Sequence, residues 1–235
     1  SFPTRRSSDL ALDINKQIYG SEHPQVAINL NTLALAWIEL GKSKEAIKYL
    51  ERALAINEQA YGPEHSHVAM TLDNLGVAWI ELGAHKEAIS YLERALAISK
   101  QACGPEHHLV ATDLSNLALA WKKLGDPEQA ISYYERALPI IEKAYSPEHP
   151  DVASILYNLG SVWVQLGKSK QAISYFERSL DINEKIYGPE HPKVAMRLNN
   201  LGSAWNDLGD PRQAISYLER ALAINEQAYG PEHPQ

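Results

Sequence analysis

His23, His65, His107, His149, His191 and His233 repeat a metal-ligating side chain at a fixed interval of 42 residues. Zinc, the ion such a set first brings to mind, needs several ligands within about 2–2.3 Å of one point. These histidines occur one to a unit, a helix pair apart, and even His107-His108 has no third ligand in the local sequence. The metal reading fails on that geometry, and the histidines are expected to cap or turn the chain. The one cysteine, Cys103, fills a slot where other copies carry Tyr61, Tyr145 or Tyr187, so it builds no disulfide or metal framework within the chain. No glycine-rich phosphate loop, nucleophile elbow or paired-carboxylate site is visible. No catalytic residue, cofactor or metal is expected.

Asparagine offers a different chemistry. Asn74, Asn116, Asn158 and Asn200 recur at one place in successive units, with Thr32 in that slot of the first. The amide competes for backbone groups and makes a mediocre helix former, so its repetition inside a helix asks for a reason. It carries both donor and acceptor. A ladder of such amides could satisfy the unpaired N–H and C=O groups of an extended peptide; the competing reading has each amide bonding to the backbone of the neighbouring unit. The pairs Glu51-Arg52, Glu93-Arg94, Glu135-Arg136, Glu177-Arg178 and Glu219-Arg220 read as a solvated ladder, worth little each.

These residues must be positioned by a repeat. Trp37, Trp79, Trp121, Trp163 and Trp205 are the chain's five tryptophans, and they keep the same 42-residue interval, the mark of a repeat array. In one unit Leu72, Leu75, Ala78, Trp79 and Leu82 follow the three-and-four spacing of a helical face from about His67 to Leu82. Ala88, Ile89, Leu92, Ala95, Leu96 and Ile98 do so in a second segment. Between them Leu82-Gly83, matched at Leu40-Gly41, Leu124-Gly125, Leu166-Gly167 and Leu208-Gly209, predicts a left-handed glycine cap. The run Tyr61-Gly62-Pro63-Glu64-His65-Ser66 and its relatives predict a rigid joint, where a second proline (Pro24, Pro150, Pro192 or Pro234) opens the next helix. An all-α array of antiparallel helix pairs follows, with the alanines and tryptophans as core. Truncating a buried tryptophan to alanine should cost about 3–5 kcal/mol.

Hydrophobic content of 45% suits an ordered helical array, and a net charge of −7 with the signs interspersed argues against nucleic acid or an anionic membrane as partner. The longest apolar run near a tryptophan, Leu33 to Ile38, falls far short of the roughly 20 residues of a bilayer span. A cytoplasmic protein is expected. The repeat pattern runs from Ala11, and Ser1 to Leu10 break its register in mid-helix. That decapeptide resembles the translation of a sequencing-adapter oligonucleotide and is expected to be non-native. The alternative is a divergent N-terminal cap, and resequencing upstream of Ala11 decides between them. Residues 11–24 close a preceding repeat and its joint; repeats then occupy 25–66, 67–108, 109–150, 151–192 and 193–235, the last with the start of a further joint. Neither end carries the polar capping repeat of a soluble array, so a fragment of a longer protein is expected.

The pattern Leu72-x-x-Leu75-Gly76-x-x-Trp79, followed by Ala88-x-x-x-Leu92 and Ala95, resembles the tetratricopeptide repeat, with tryptophan where that family usually has tyrosine. The 42-residue period, the Gly-Pro-Glu-His-Pro joint and the stretch Leu198 to Gly202 are similar to the kinesin-light-chain-like subclass. The resemblance covers residues 11–235. It implies a right-handed α-solenoid whose first helices line a concave groove that binds short extended peptides without catalysis. It places the family's groove asparagines at Asn74 and its repeats. It also marks as variable groove positions Ile28, Asn31 and Leu35, then Met70, Asp73, Val77 and Ile80, then Lys122 and Lys123, Tyr157 and Asn199. Lys122-Lys123 is the only basic pair among these positions, so an acidic group of the ligand is expected there; the alternative is a solvated charge pair. The expected function is a non-enzymatic protein- or peptide-binding scaffold. The alternative is a sensor or autoinhibitory region of a larger signalling ATPase or protease whose effector domain lies outside these residues. An enzyme in its own right comes third, and no residue speaks for it.

Overall fold

Two kinds of apolar stripe alternate along the chain, and two kinds of helix alternate with them. The structure is a computed structural model that describes residues 20–230. Expectations that fall on Ser1 to Tyr19, His233 or Pro234 lie outside the described residues. A first compact unit, Ser1–Asp126, contains α1 (Pro24–Glu39), α2 (Ser43–Tyr61), α3 (Ser66–Glu81), α4 (His85–Cys103) and α5 (His108–Leu124). A second, Pro127–Gln235, contains α6 (Pro127–Ala144), α7 (Pro150–Gln165), α8 (Ser169–Tyr187), α9 (Pro192–Asp207) and α10 (Pro211–Tyr229). Within each unit every helix packs on its successor in sequence. No strand occurs among the described residues.

The short turn within each helix pair is made by the glycine the sequence singles out. Gly41, Gly83, Gly125, Gly167 and Gly209 all have positive φ. At the first, Gly41 N–H donates to the Ile38 carbonyl at 2.8 Å and Lys42 N–H to the Trp37 carbonyl at 2.9 Å. This two-bond pattern closes a helix over a left-handed residue. The tryptophan carbonyl accepts the equivalent bond at Trp79, Trp121, Trp163 and Trp205.

The joints use glycine differently. Gly62 ends α2 at φ 86 and ψ 162, a conformation essentially reserved for glycine. The fourth joint has Ser146 instead, no described non-glycine residue takes positive φ, and α6 stops at Ala144. The histidines then open the next helices. Nδ1 of His23, His65, His107, His149 and His191 accepts the backbone N–H two residues on, at 3.1–3.3 Å. Each replaces the serine or aspartate that usually caps a helix, and Tyr61, Tyr145 and Tyr187 stack on the capping rings.

In the core of the first unit Val26, Leu30, Leu50, Ala53, Val68, Leu72 and Leu75 are fully buried. Gly76 permits close helix contact: a Cβ there would lie 2.3 Å from Cγ of the buried Leu92. The tryptophans fill less of the core than expected. Trp37 is buried, but the other four are half-buried, with Trp79 stacked on Tyr91 at the edge of the helix pair. The Glu-Arg ladder is also built differently from the expectation. Arg94 pairs with Glu58 at 2.6 Å, Arg178 with Glu142 and Arg220 with Glu184 at 2.6 Å. Each arginine reaches a glutamate of the preceding second helix rather than its sequence neighbour, because adjacent residues on a helix point in different directions.

Candidate ligand-binding face

The first helices α1, α3, α5, α7 and α9 bury one stripe and leave the variable positions on another. On α1 and α3 that second stripe exposes large apolar side chains: Ile28, Leu35 and Met70 are 38%, 44% and 44% exposed. On α9 Met196 is 48% exposed, with Asn199 also exposed. Asn31 and Ile80 are each only 5% exposed, so the structure places them inside.

The asparagines are engaged across the repeat junctions. Asn74 Nδ2 donates to Asn31 Oδ1 at 3.0 Å. Asn116 Nδ2 donates to both carboxylate oxygens of Asp73, at 2.9 and 3.0 Å. Asn200 Nδ2 donates to the Tyr157 hydroxyl at 3.3 Å and to the Met196 carbonyl at 2.8 Å. Asn158 sits half-buried on α7. The partners across the junction are side chains of the preceding first helix rather than its backbone.

Each of these contacts belongs to a polar cluster that differs from junction to junction. At the first, Asn31 Nδ2 and Asn57 Nδ2 both donate to Thr71 Oγ1 at 3.1 Å. At the second, Thr71 gives way to Asp113, which is 4% exposed and bonds to Asp73. Burial, the Asp73 charge and that bond push the Asp113 carboxyl up to about 8, with Ser99 opposing them. Burial likewise raises the Asp73 carboxyl, against its bonds from Asn116 and Asp113. The sequence shows no paired carboxylates, yet the fold makes a pair that shares a proton. It faces a repeat seam rather than a cavity. In the second unit the corresponding residue is Arg197, its guanidinium 3.9 Å from the centre of the Tyr157 ring. Burial lowers its pKa, partly offset by Tyr157 and Tyr187. The signal for Asp113 and Arg197 is present in the sequence as divergence at a position one residue beyond the family's groove positions.

Lys122 and Lys123 occupy the last turn of α5. Burial, and then the Lys123 charge, lower the Lys122 pKa. Among the described residues no group of three or more His, Cys, Asp or Glu could hold a metal ion, and no helix is long and apolar enough to cross a membrane.

Helix pairs closed by glycine caps, linked by Gly-Pro-Glu-His joints and mated by small residues define a class of helical repeat protein. The chain belongs to the tetratricopeptide repeat family, whose model matches residues 5–59, 37–101, 80–143, 114–185 and 151–227. Its fold class is the all-α solenoid. The structure is similar to that of BtubC (BKLC) from P. vanneervenii, with a TM-score of 0.83 at 22% identity over 99% of this chain and 93% of that one. It is similar also to the nearly identical TPR-like repeats of a putative kinesin light chain from Podosopora anserina, with a TM-score of 0.76 at 25% identity over 88% and 98%. A Rap protein complexed with Competence and Sporulation Factor gives a TM-score of 0.72 at 16% identity over 96% of this chain and 60% of that chain. None of the curated proteins matches. Tetratricopeptide repeat proteins are generally non-catalytic scaffolds for protein–protein interaction.

Proposed function

We propose that this chain is a scaffold segment that binds an extended peptide of a partner protein along the exposed face of its first helices. The observation that carries this reading is the exposed apolar set Ile28, Leu35 and Met70 on helices whose other faces are packed. Large apolar side chains held in water on a rigid framework are what a ligand can cover. The 42-residue units would act as successive subsites. With their donors turned across the junctions, Asn74, Asn116 and Asn200 offer amide oxygens to the ligand's backbone N–H groups, and Asn158 and Asn199 extend the set, while Asn31 orients Asn74. Tyr157 adds an aromatic surface. Lys122 and Lys123 would receive an acidic group, whose negative charge would offset the burial and the Lys123 repulsion that disfavour the Lys122 charge. A cytoplasmic location belongs to the same reading, since the fold relies on no disulfide.

Selection of a displayed random peptide library on the whole chain tests it. Enriched peptides should bind with apolar residues in register, and Leu35→Glu with Met70→Glu should weaken them at least tenfold. An enriched acidic position should vanish on Lys122→Glu with Lys123→Glu. No enrichment, or binding indifferent to Leu35→Glu with Met70→Glu, would refute the reading.

A further inference from the structure

We infer that the peptide taken up by α1, α3 and α5 is a basic segment in polyproline II form, with cationic side chains three residues apart and an acidic one three residues beyond them. This inference rests on the peptide-binding reading above and names the chemistry of its ligand. On α1 the exposed stripe runs Ile28, Thr32, Leu35 and Glu39, a spacing of four, three and four that keeps to one helical face. Its last slot is charged on all three helices, by Glu39, by Glu81 on α3 and by Lys123 on α5, each of them exposed. One turn earlier the slot is apolar throughout, with Leu35 exposed and Val77 and Leu119 half-buried. The face therefore carries an apolar lane and, beside it, a lane of charge reading Glu, Glu, Lys.

The acidic end of that lane is at odds with its own helices. Glu39 and Glu81 are the final residues of α1 and α3, against the negative end of the helix dipole, where a cation is favoured. No described cation pairs with either. Lys42, the basic residue nearest to Glu39 in sequence, lies over the Trp37 ring, 5.1 Å from its centre. Lysine or arginine from a ligand would supply the missing charge at both helix ends. The spacing selects the ligand's conformation. Consecutive first helices of this unit touch, and helices in contact run about 8–10 Å apart. A β-strand gains about 3.3 Å per residue but turns alternate side chains to opposite faces, so its residues three apart cannot both meet the charge lane. A polyproline II helix advances about 9.3 Å in three residues and returns every third side chain to the same side. With one of its three sides on the charge lane, a second falls on Leu35, Val77 and Leu119.

The probe is fluorescein-labelled Lys-Leu-Pro-Lys-Leu-Pro-Glu, titrated into the whole chain by fluorescence anisotropy beside its retro-sequence. The comparison peptides are the charge-swapped Glu-Leu-Pro-Glu-Leu-Pro-Lys and Lys-Leu-Lys-Leu-Glu-Pro-Pro, whose lysines stand two apart. The probe or its retro-sequence should bind saturably, at least tenfold more tightly than either comparison peptide. Glu39→Lys with Glu81→Lys should weaken it at least tenfold; both changes place a cation at a helix C-terminus and favour the fold. Leu35→Ser should weaken it several-fold, and Lys123→Glu should erase its preference for glutamate over glutamine at the acidic position. Indifference to Glu39→Lys with Glu81→Lys overturns the inference, as does equal or tighter binding of the peptide with lysines two apart. Binding that ignores Leu35→Ser also overturns it, since charge alone would then hold the peptide. Library peptides that need Leu35 and Met70 but not Glu39 and Glu81 would sink this inference and leave the groove reading standing, whereas a library without enrichment would remove both.

Discussion

Asp113 shows how one side chain can set the condition under which a repeat junction holds. Its carboxyl is pushed up to about 8 by burial and by Asp73, while an aspartate in the unfolded chain titrates near 3.8. The folded chain thus keeps a proton that the unfolded chain has already released. Stability from this pair is complete below about pH 4 and is lost as pH rises through about 8. Asp113→Asn supplies a neutral amide in place of the protonated acid. Unfolding free energies from urea titrations at pH 5 to 9 should fall by on the order of a few kcal/mol for the natural chain and fall less across that window for the variant, in which only the buried Asp73 carboxyl remains. Parallel curves would remove the shared proton from the account. The asparagine slot is legible in the sequence because it repeats in register. The cluster behind it is not: Asn31, which receives Asn74, meets Thr71, and Asp73, which receives Asn116, meets Asp113, at a separation of 40 residues. A two-residue offset from the repeat period puts these contacts between helices, and only the packing of one repeat on the next reveals them.

At the scale of the element, helix ends are the most legible part of the molecule, because their chemistry is local. A glycine after Leu82 and a histidine before Ser66 act within one turn, and both do so in the structure. The tryptophans are less legible, since periodicity tells which face a residue occupies and not how far the neighbouring helix covers it. Pro139 is an element-scale fault. It lies inside α6, exposed, where the other second helices carry Ala55, Ala97, Asp181 or Ala223. Proline removes a backbone donor and crowds the carbonyl four residues back. Pro139→Ala should therefore raise stability by about 3 kcal/mol, read as a higher denaturation midpoint of the whole chain. A neutral or lower midpoint would mean that α6 depends on its proline.

Across the whole molecule, the 42-residue period makes the fold class readable from the residues alone, because a repeat that cannot bury its stripe alone must stack. Stacking makes stability a sum of units and seams, each helix pair answering to its neighbours. Phe176 packs in the core of the second unit with Ala172, Val194 and Leu198. Phe176→Ala should cost about 3–5 kcal/mol, and hydrogen exchange should show where: faster in α8 and α9, unchanged in α1 and α2. A uniform rise along the chain would mean that the array melts as a single cooperative body.

The junction clusters have a consequence for how such a chain can change. Near-identical coding units are prone to slip out of alignment in recombination, which deletes or duplicates them in frame. The apolar framework would accept any such product, because Leu30, Leu72, Leu114, Leu156 and Leu198 are interchangeable. The polar partners would not. Loss of residues 109–150 would set the buried carboxyl of Asp73 against Ile155 in place of Asp113, leaving it without its proton-sharing partner in an apolar seam. Asn31 with Thr71, Asp73 with Asp113 and Tyr157 with Arg197 thus act as a written order for the repeats, and a shuffled descendant would carry its error as a weakened seam.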